Sequence, residues 1–177
     1  MEQKKILFII SHDSFDDEEY SYLKKRFMQE GILVETASTH LSEAKGKYGG
    51  LITPDCLISY VEAGDYDGFV FIGEEAASEY YSNADVLQII NQAHLTGKII
   101  AAIGQAVPIL AYSGKMANLL VSGDVTEKSR LEELGAIYST KLVSETANFI
   151  TASPEGLEEF GNSIANSLLR EQSGYLV

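Results

Sequence analysis

The segment Lys98 to Gly114, KIIAAIGQAVPILAYSG, is an apolar run followed by a helical pattern, with Gly104 and Gln105 at the junction. A strand that turns sharply into a helix is a good seat for a nucleophile, because the orphan N–H groups of the helix start stabilise an anion. Glycine has no side chain to attack with, so any chemistry here must come from neighbouring loops. Two of them are rich in ionisable groups. His12 and the acidic residues Asp13, Asp16, Asp17, Glu18 and Glu19 follow one apolar run, and Gly73, Glu74 and Glu75 follow another. Carboxylates crowded on one rim raise one another's pKa, which suits a general acid; Asp16, His12 or Glu74 would then work around a water. Calcium or magnesium on the same oxygens is a weaker option. The plainer role of the acidic run is to open a helix, where negative charge complements the macrodipole and caps free N–H groups.

The remaining reactive types are sparse. Cys56 is the only cysteine, which excludes an intrachain disulfide and a Cys-rich zinc site; it reads as a small packing residue. His40 sits in a loop and His94 near a helix end, both expected to be solvated. Tyr80, Tyr81 and Tyr112 belong to a set of 10 tyrosines beside no tryptophan, and they suit half-buried packing or an interface.

The elements that position these residues are legible as patterns. KILFII (5–10), GFVFIG (68–73) and KIIAAIG (98–104) are continuous apolar runs, the mark of strands buried on both faces of a parallel sheet. Between them run helical stripes: Tyr20, Leu23, Phe27 and Met28; then Val86, Leu87, Ile89, Ile90 and Ala93; then Leu157, Phe160, Ile164, Leu168 and Leu169. Ser153 and Pro154 suit the start of the last helix. KGKYGGLITPDCLI, with three glycines and a proline, predicts a small antiparallel excursion. The alternation implies right-handed βαβ units in an α/β, three-layer α/β/α sandwich with a mainly parallel sheet. Ligands of such sheets sit beyond the carboxyl ends of the strands, which selects the loops 11–19, 73–79 and 104–107. One domain is placed on residues 1–177, with 171–177 a loosely held tail.

Bulk properties narrow the partners. The net charge is −13, so a phosphate-backbone footprint is missing and an anionic membrane surface is disfavoured. No apolar run approaches the roughly 18 residues of a membrane span, and the N-terminal run stops at Ile10 as a strand would. Expectations are a cytoplasmic protein with no nucleic acid, no membrane, no cofactor and no metal.

The loops, in this order, resemble the ThiJ/PfpI superfamily, which includes the Parkinson-disease deglycase and PfpI-type intracellular proteases. ITPD followed by DYDGFVFIG resembles the family's "PD…YD…lpGG" segment, and GKIIAAIGQAVPILAYSG resembles its "G…aaiC.gp..La..G" elbow. The resemblance implies a flavodoxin-like, class I glutamine amidotransferase-like fold and a homodimer. It also implies a catalytic cysteine at the elbow, and that position falls on Gly104, followed by Gln105. The family's glutamate falls on Asp16 in FDDEE, its glycine pair on Gly73-Glu74, and a histidine of some members near Gly123. Four departures together imply a protein without covalent cysteine chemistry. It would bind a small metabolite or a partner protein through His12, Asp16, Gly73, Glu74, Gly104 and Gln105. The alternative is a cysteine-independent hydrolase or lyase, glyoxalase- or amidase-like, acting on small carbonyl compounds. That alternative requires a strongly raised carboxylate pKa in the pocket.

Overall fold

The computed structural model describes residues 3–170. The expected tail, 171–177, lies outside the described residues. Twelve strands are formed among the described residues. β1 (Lys5–Ile10) and β2 (Asp13–Phe15) precede α1 (Asp17–Gln29); β3 (Leu33–Ser38), β4 (Ala44–Gly46), β5 (Leu51–Ile52), β6 (Cys56–Leu57) and β7 (Gly68–Ile72) follow. Then come α2 (Ala84–Leu95), β8 (Ile99–Ile103), α3 (Val107–Tyr112), β9 (Leu120–Val121) and α4 (Lys128–Glu133). The chain closes with β10 (Ile137–Tyr138), β11 (Val143–Thr146), β12 (Phe149–Ala152) and α5 (Leu157–Arg170).

The main sheet has the order β11-β12-β8-β7-β1-β3-β6, and only β11 runs antiparallel to its neighbour. Successive residues of a strand point to opposite faces. Ile6, Phe8, Ile10, Val70, Ile72, Ala101 and Ile103 pack with Leu23, Phe27, Phe160, Ile164 and Leu168 of α1 and α5. Leu7, Ile9, Phe69, Phe71, Ile100 and Ala102 pack with Val86, Ile89, Ile90 and Leu110 of α2 and α3. Both faces are therefore dry, which is why β1, β7 and β8 read as unbroken apolar runs. The excursion is a separate small sheet in which β4 pairs antiparallel with β5 and parallel with β2.

Three details differ from the sequence reading. Met28 is 61% exposed, because it lies one helical step round from Phe27 and off the buried stripe. Ser153 precedes a 3₁₀ turn (Pro154–Gly156) and its Oγ makes no hydrogen bond; its carbonyl instead accepts from the Gly156 N–H at 2.9 Å. His94 is half-buried, with Nδ1 3.0 Å from Asn148 Oδ1 and its ring stacked on Phe149.

Register sets the site edge. Ile10 is level with Ile72, Phe71 with Ala102, and Ala152 with Ile103. The next residue of each strand is thus Ser11, Gly73, Gly104 and Ser153, a row of small residues across four neighbouring strand ends.

Candidate functional site

Gly104 stands at the centre of that row. Its φ is +59°, in the left-handed region that an L side chain enters only with strain, and the chain passes through a 3₁₀ turn (Gly104–Ala106) into α3. The strained strand-to-helix corner is therefore built here around a glycine. A Cβ at this position would lie 3.4 Å from Pro154 Cγ and 3.7 Å from Glu19 Oε1, which is ordinary contact. Gln105 is half-buried in the same turn, and the Asp124 N–H reaches the Gly104 carbonyl at 3.4 Å.

The acid that faces Gly104 is Glu19, which corrects the assignment of that role to Asp16. Asp16 is the N-cap of α1, and its Oδ1 accepts the Glu19 N–H at 2.9 Å. The first helical turn then swings Glu19 inward, leaving it 8% exposed. A signal for this was present: Asp16-Asp17-Glu18-Glu19 has the capping-box spacing, with the acid three residues after the cap. Glu19 does not close such a box here, because its carboxyl is turned to the elbow and Oε2 has no hydrogen-bond partner.

Burial, and then the neighbouring carboxylates, set the state of that acid. Burial does most to push the Glu19 pKa up to about 9; Asp16, Glu74 and Asp124 add to it, and Lys47 opposes them. Glu19 is neutral at pH 7. Asp124 and Lys47 come from segments remote in sequence, and neither was a candidate from pattern alone.

Glu74 stands on the rim and is paired, its Oε1 2.9 Å from Lys47 Nζ. Lys47 is held in place by Asp17, whose carboxylate accepts the Tyr48 N–H at 2.9 Å and the Gly50 N–H at 2.7 Å. A Cβ at Gly46 or Gly50 would collide with that Asp17 side chain. Gly73 is equally constrained, since a Cβ there would lie 2.8 Å from Ala77 Cβ. Behind the loop, Tyr80 is buried and donates to the Ile10 carbonyl at 2.6 Å. Tyr81 stacks on Tyr112 of α3 at 4.3 Å with Arg130 over its outer face, tying the loop after β7 to the elbow helix. These tyrosines brace the site.

Two other candidates sit apart from the acid. The His12 ring packs against His40 at 4.8 Å with its Nε2 3.3 Å from Ser42 Oγ, and the His12 backbone N–H donates to Glu79. Cys56 lies in β6, separated from β8 by three strands of the sheet, and burial pushes its thiol pKa up. At Gly123, a Cβ would press on Leu131 and Val107 at 3.3–3.4 Å, so the neighbourhood is filled by apolar side chains. Among the described residues there is no group of three or more His, Cys, Asp or Glu side chains that could hold a metal ion.

Comparison with known proteins agrees with this architecture. The model of the DJ-1/PfpI family matches residues 4–167. An uncharacterized protein of Archaeoglobus fulgidus is 27% identical over 165 residues, 93% of this chain and 98% of that protein. A deglycase of Thermococcus kodakarensis is 25% identical over 150 residues, covering 85% and 90%. The crystal structure of a ThiJ/PfpI domain protein from Brachyspira murdochii superposes with a TM-score of 0.90 at 27% identity, over 97% of this chain and 99% of that one. With the parallel sheet, the positive-φ elbow and a family match spanning most of its length, the chain belongs to the DJ-1/PfpI family.

Proposed function

We propose that this protein is a DJ-1/PfpI family member without a nucleophile, which binds a small metabolite or a partner protein at the elbow site and does not turn it over. The observation that carries this reading is Gly104 itself. The corner keeps the positive φ of a nucleophile seat, and its residue has no group to form a covalent bond. Removing a nucleophile alone removes nearly all of the rate that depends on it. The family's glutamate is best matched by Glu19, on the ground of its contact with the elbow. The deglycase activity named for relatives would need a different catalyst here.

A second reading is favoured by one observation. Cysteine-independent acid–base chemistry on small carbonyl compounds requires a carboxylate of strongly raised pKa, and Glu19, with a pKa of about 9, meets that requirement. Methylglyoxal consumption separates the two. The first reading expects the wild-type protein to match the buffer rate and Gly104→Cys to exceed it. Turnover by the wild type that Glu19→Gln abolishes would establish the second.

The same proposal takes the protein to be a cytoplasmic homodimer. Supporting the dimer, an open groove of about 620 Å³ runs beside α1 between Tyr20, Met28, Gln29 and Ile52. Sedimentation equilibrium should give twice the chain mass of 19.3 kDa, and Met28→Lys should lower it toward one chain. A single-chain mass for the wild type at micromolar concentration would end that part of the proposal. Among the described residues, no helix is long and apolar enough to cross a membrane.

A further inference from the structure

The side chains around Gly104 define what the site can hold. Glu19 is more than nine-tenths buried, its Oε1 faces the position where a residue-104 side chain would project, and its Oε2 lacks any hydrogen-bond partner. A buried polar atom without a partner is costly, by about 1–3 kcal/mol, unless something satisfies it. The unpartnered Glu19 oxygen beside the open side-chain position of Gly104 points to a ligand rather than to packing. Resting on the reading of the elbow as a binding site, we propose that the space over Gly104 binds a small uncharged molecule that presents an acceptor and a donor side by side, as the edge of a carboxamide or urea does.

The charge selection follows from what surrounds the acid. Asp16 caps its own helix, Glu74 stands at the end of β7, and Asp124 follows β9; the single cation among these neighbours, Lys47, is paired with Glu74. An anion would enter against three carboxylates with no free cation to meet it. A cation would have to be stripped of water beside an acid that is itself neutral at pH 7. A protonated carboxyl offers one O–H donor and one C=O acceptor in a single plane. Its complement is a neutral amide edge, which closes two hydrogen bonds at once. A ketone satisfies only the O–H, and leaves the carbonyl of Glu19 without a donor.

Four planar probes of one shape test this: acetamide, acetone, acetate and acetamidinium. Each is titrated into the ¹⁵N-labelled full chain at pH 7, with the Gly104 amide signal as readout. Acetamide should shift that signal saturably, with the other three at least tenfold weaker. Glu19→Gln keeps a donor and an acceptor in place, so it should hold acetamide within about threefold. Glu19→Ala should lose at least tenfold. In the wild type, acetamide affinity should fall by up to about tenfold between pH 7 and pH 10 as Glu19 ionises, and Glu19→Gln should lose that pH dependence. Equal or tighter binding of acetate, acetamidinium or acetone overturns the proposal, as does a Gly104 signal that no probe moves. None of the four probes needs to react, so ligand class is read independently of turnover. Methylglyoxal consumption by the wild type would remove the non-catalytic reading and leave this selectivity standing.

Discussion

Gly104→Cys should fold, lose about 1–2 kcal/mol of stability, and carry a thiol that titrates below its ordinary value of about 8.5. The stability loss follows from φ +59° at this corner, a conformation that disfavours any residue with a Cβ. Steric exclusion does not add to it, because the nearest atoms to the new Cβ are 3.4 and 3.7 Å away. The thiol pKa is set by opposing effects. The O–H of neutral Glu19 can donate to a thiolate, and the N–H groups opening the turn into α3 favour negative charge there. Asp16, Glu74 and Asp124, which push the Glu19 pKa up, act against ionisation of the thiol as well, with Lys47 partly offsetting them. The charge-assisted hydrogen bond outweighs them. Absorbance of the thiolate against pH gives the pKa, and denaturant unfolding gives the stability loss. Adding Glu19→Ala should raise the thiol pKa again. A thiol near or above 8.5 in Gly104→Cys would show that Glu19 does not serve that position.

Glu19→Gln should stabilise the protein by about 3 kcal/mol at pH 7, raising Tm by roughly 5–10 °C. The folded-state pKa of about 9 lies above the ordinary value of 4.5. Between those values the folded chain holds a proton that the unfolded chain has released. Stability therefore falls as pH rises from about 4.5, and levels off once pH passes about 9. At pH 7 the accumulated penalty spans the interval from 4.5 to 7, at about 1.4 kcal/mol per unit. Glutamine keeps the shape and sheds the ionisation. The gain should accordingly be small at pH 4.5 and largest above pH 9. Thermal unfolding of both proteins across that range checks it, and a pH-independent difference would show that the Glu19 pKa is not raised.

The fold was readable from the sequence because its strands obey one physical rule. β1, β7 and β8 are buried on both faces, so apart from Lys5 at the start of β1 their positions carry no polar side chain, and the loops at their carboxyl ends are where the ionisable residues collect. The elbow was readable for the same reason. The acid was harder. Asp16 and Glu19 lie three residues apart in one acidic run, and only the helix start decides which of them caps and which turns inward. The capping-box spacing carried that information, whereas matching letters to a family pattern did not. Lys47 and Asp124 were out of reach, since they meet Glu19 through the turn between β4 and β5 and through the loop after β9. The row of Ser11, Gly73, Gly104 and Ser153 depends on strand register, which apolar runs do not encode. Ser153 shows the limit of a good local rule: a favoured cap residue left its hydroxyl unused because a 3₁₀ turn satisfied the helix start through the backbone.

The site rests on one proton, the one held by Glu19 beside a corner that has kept its shape and carries no nucleophile. Its most direct measurement is the titration of the Glu19 carboxyl carbon by ¹³C NMR in the wild-type protein, with Glu19→Gln assigning the signal. The account predicts an apparent pKa near 9, with the carboxyl neutral throughout the physiological range. A midpoint near the ordinary 4.5 would contradict it. The acid would then be ionised at neutral pH, and the site could not select an uncharged ligand through a carboxyl proton.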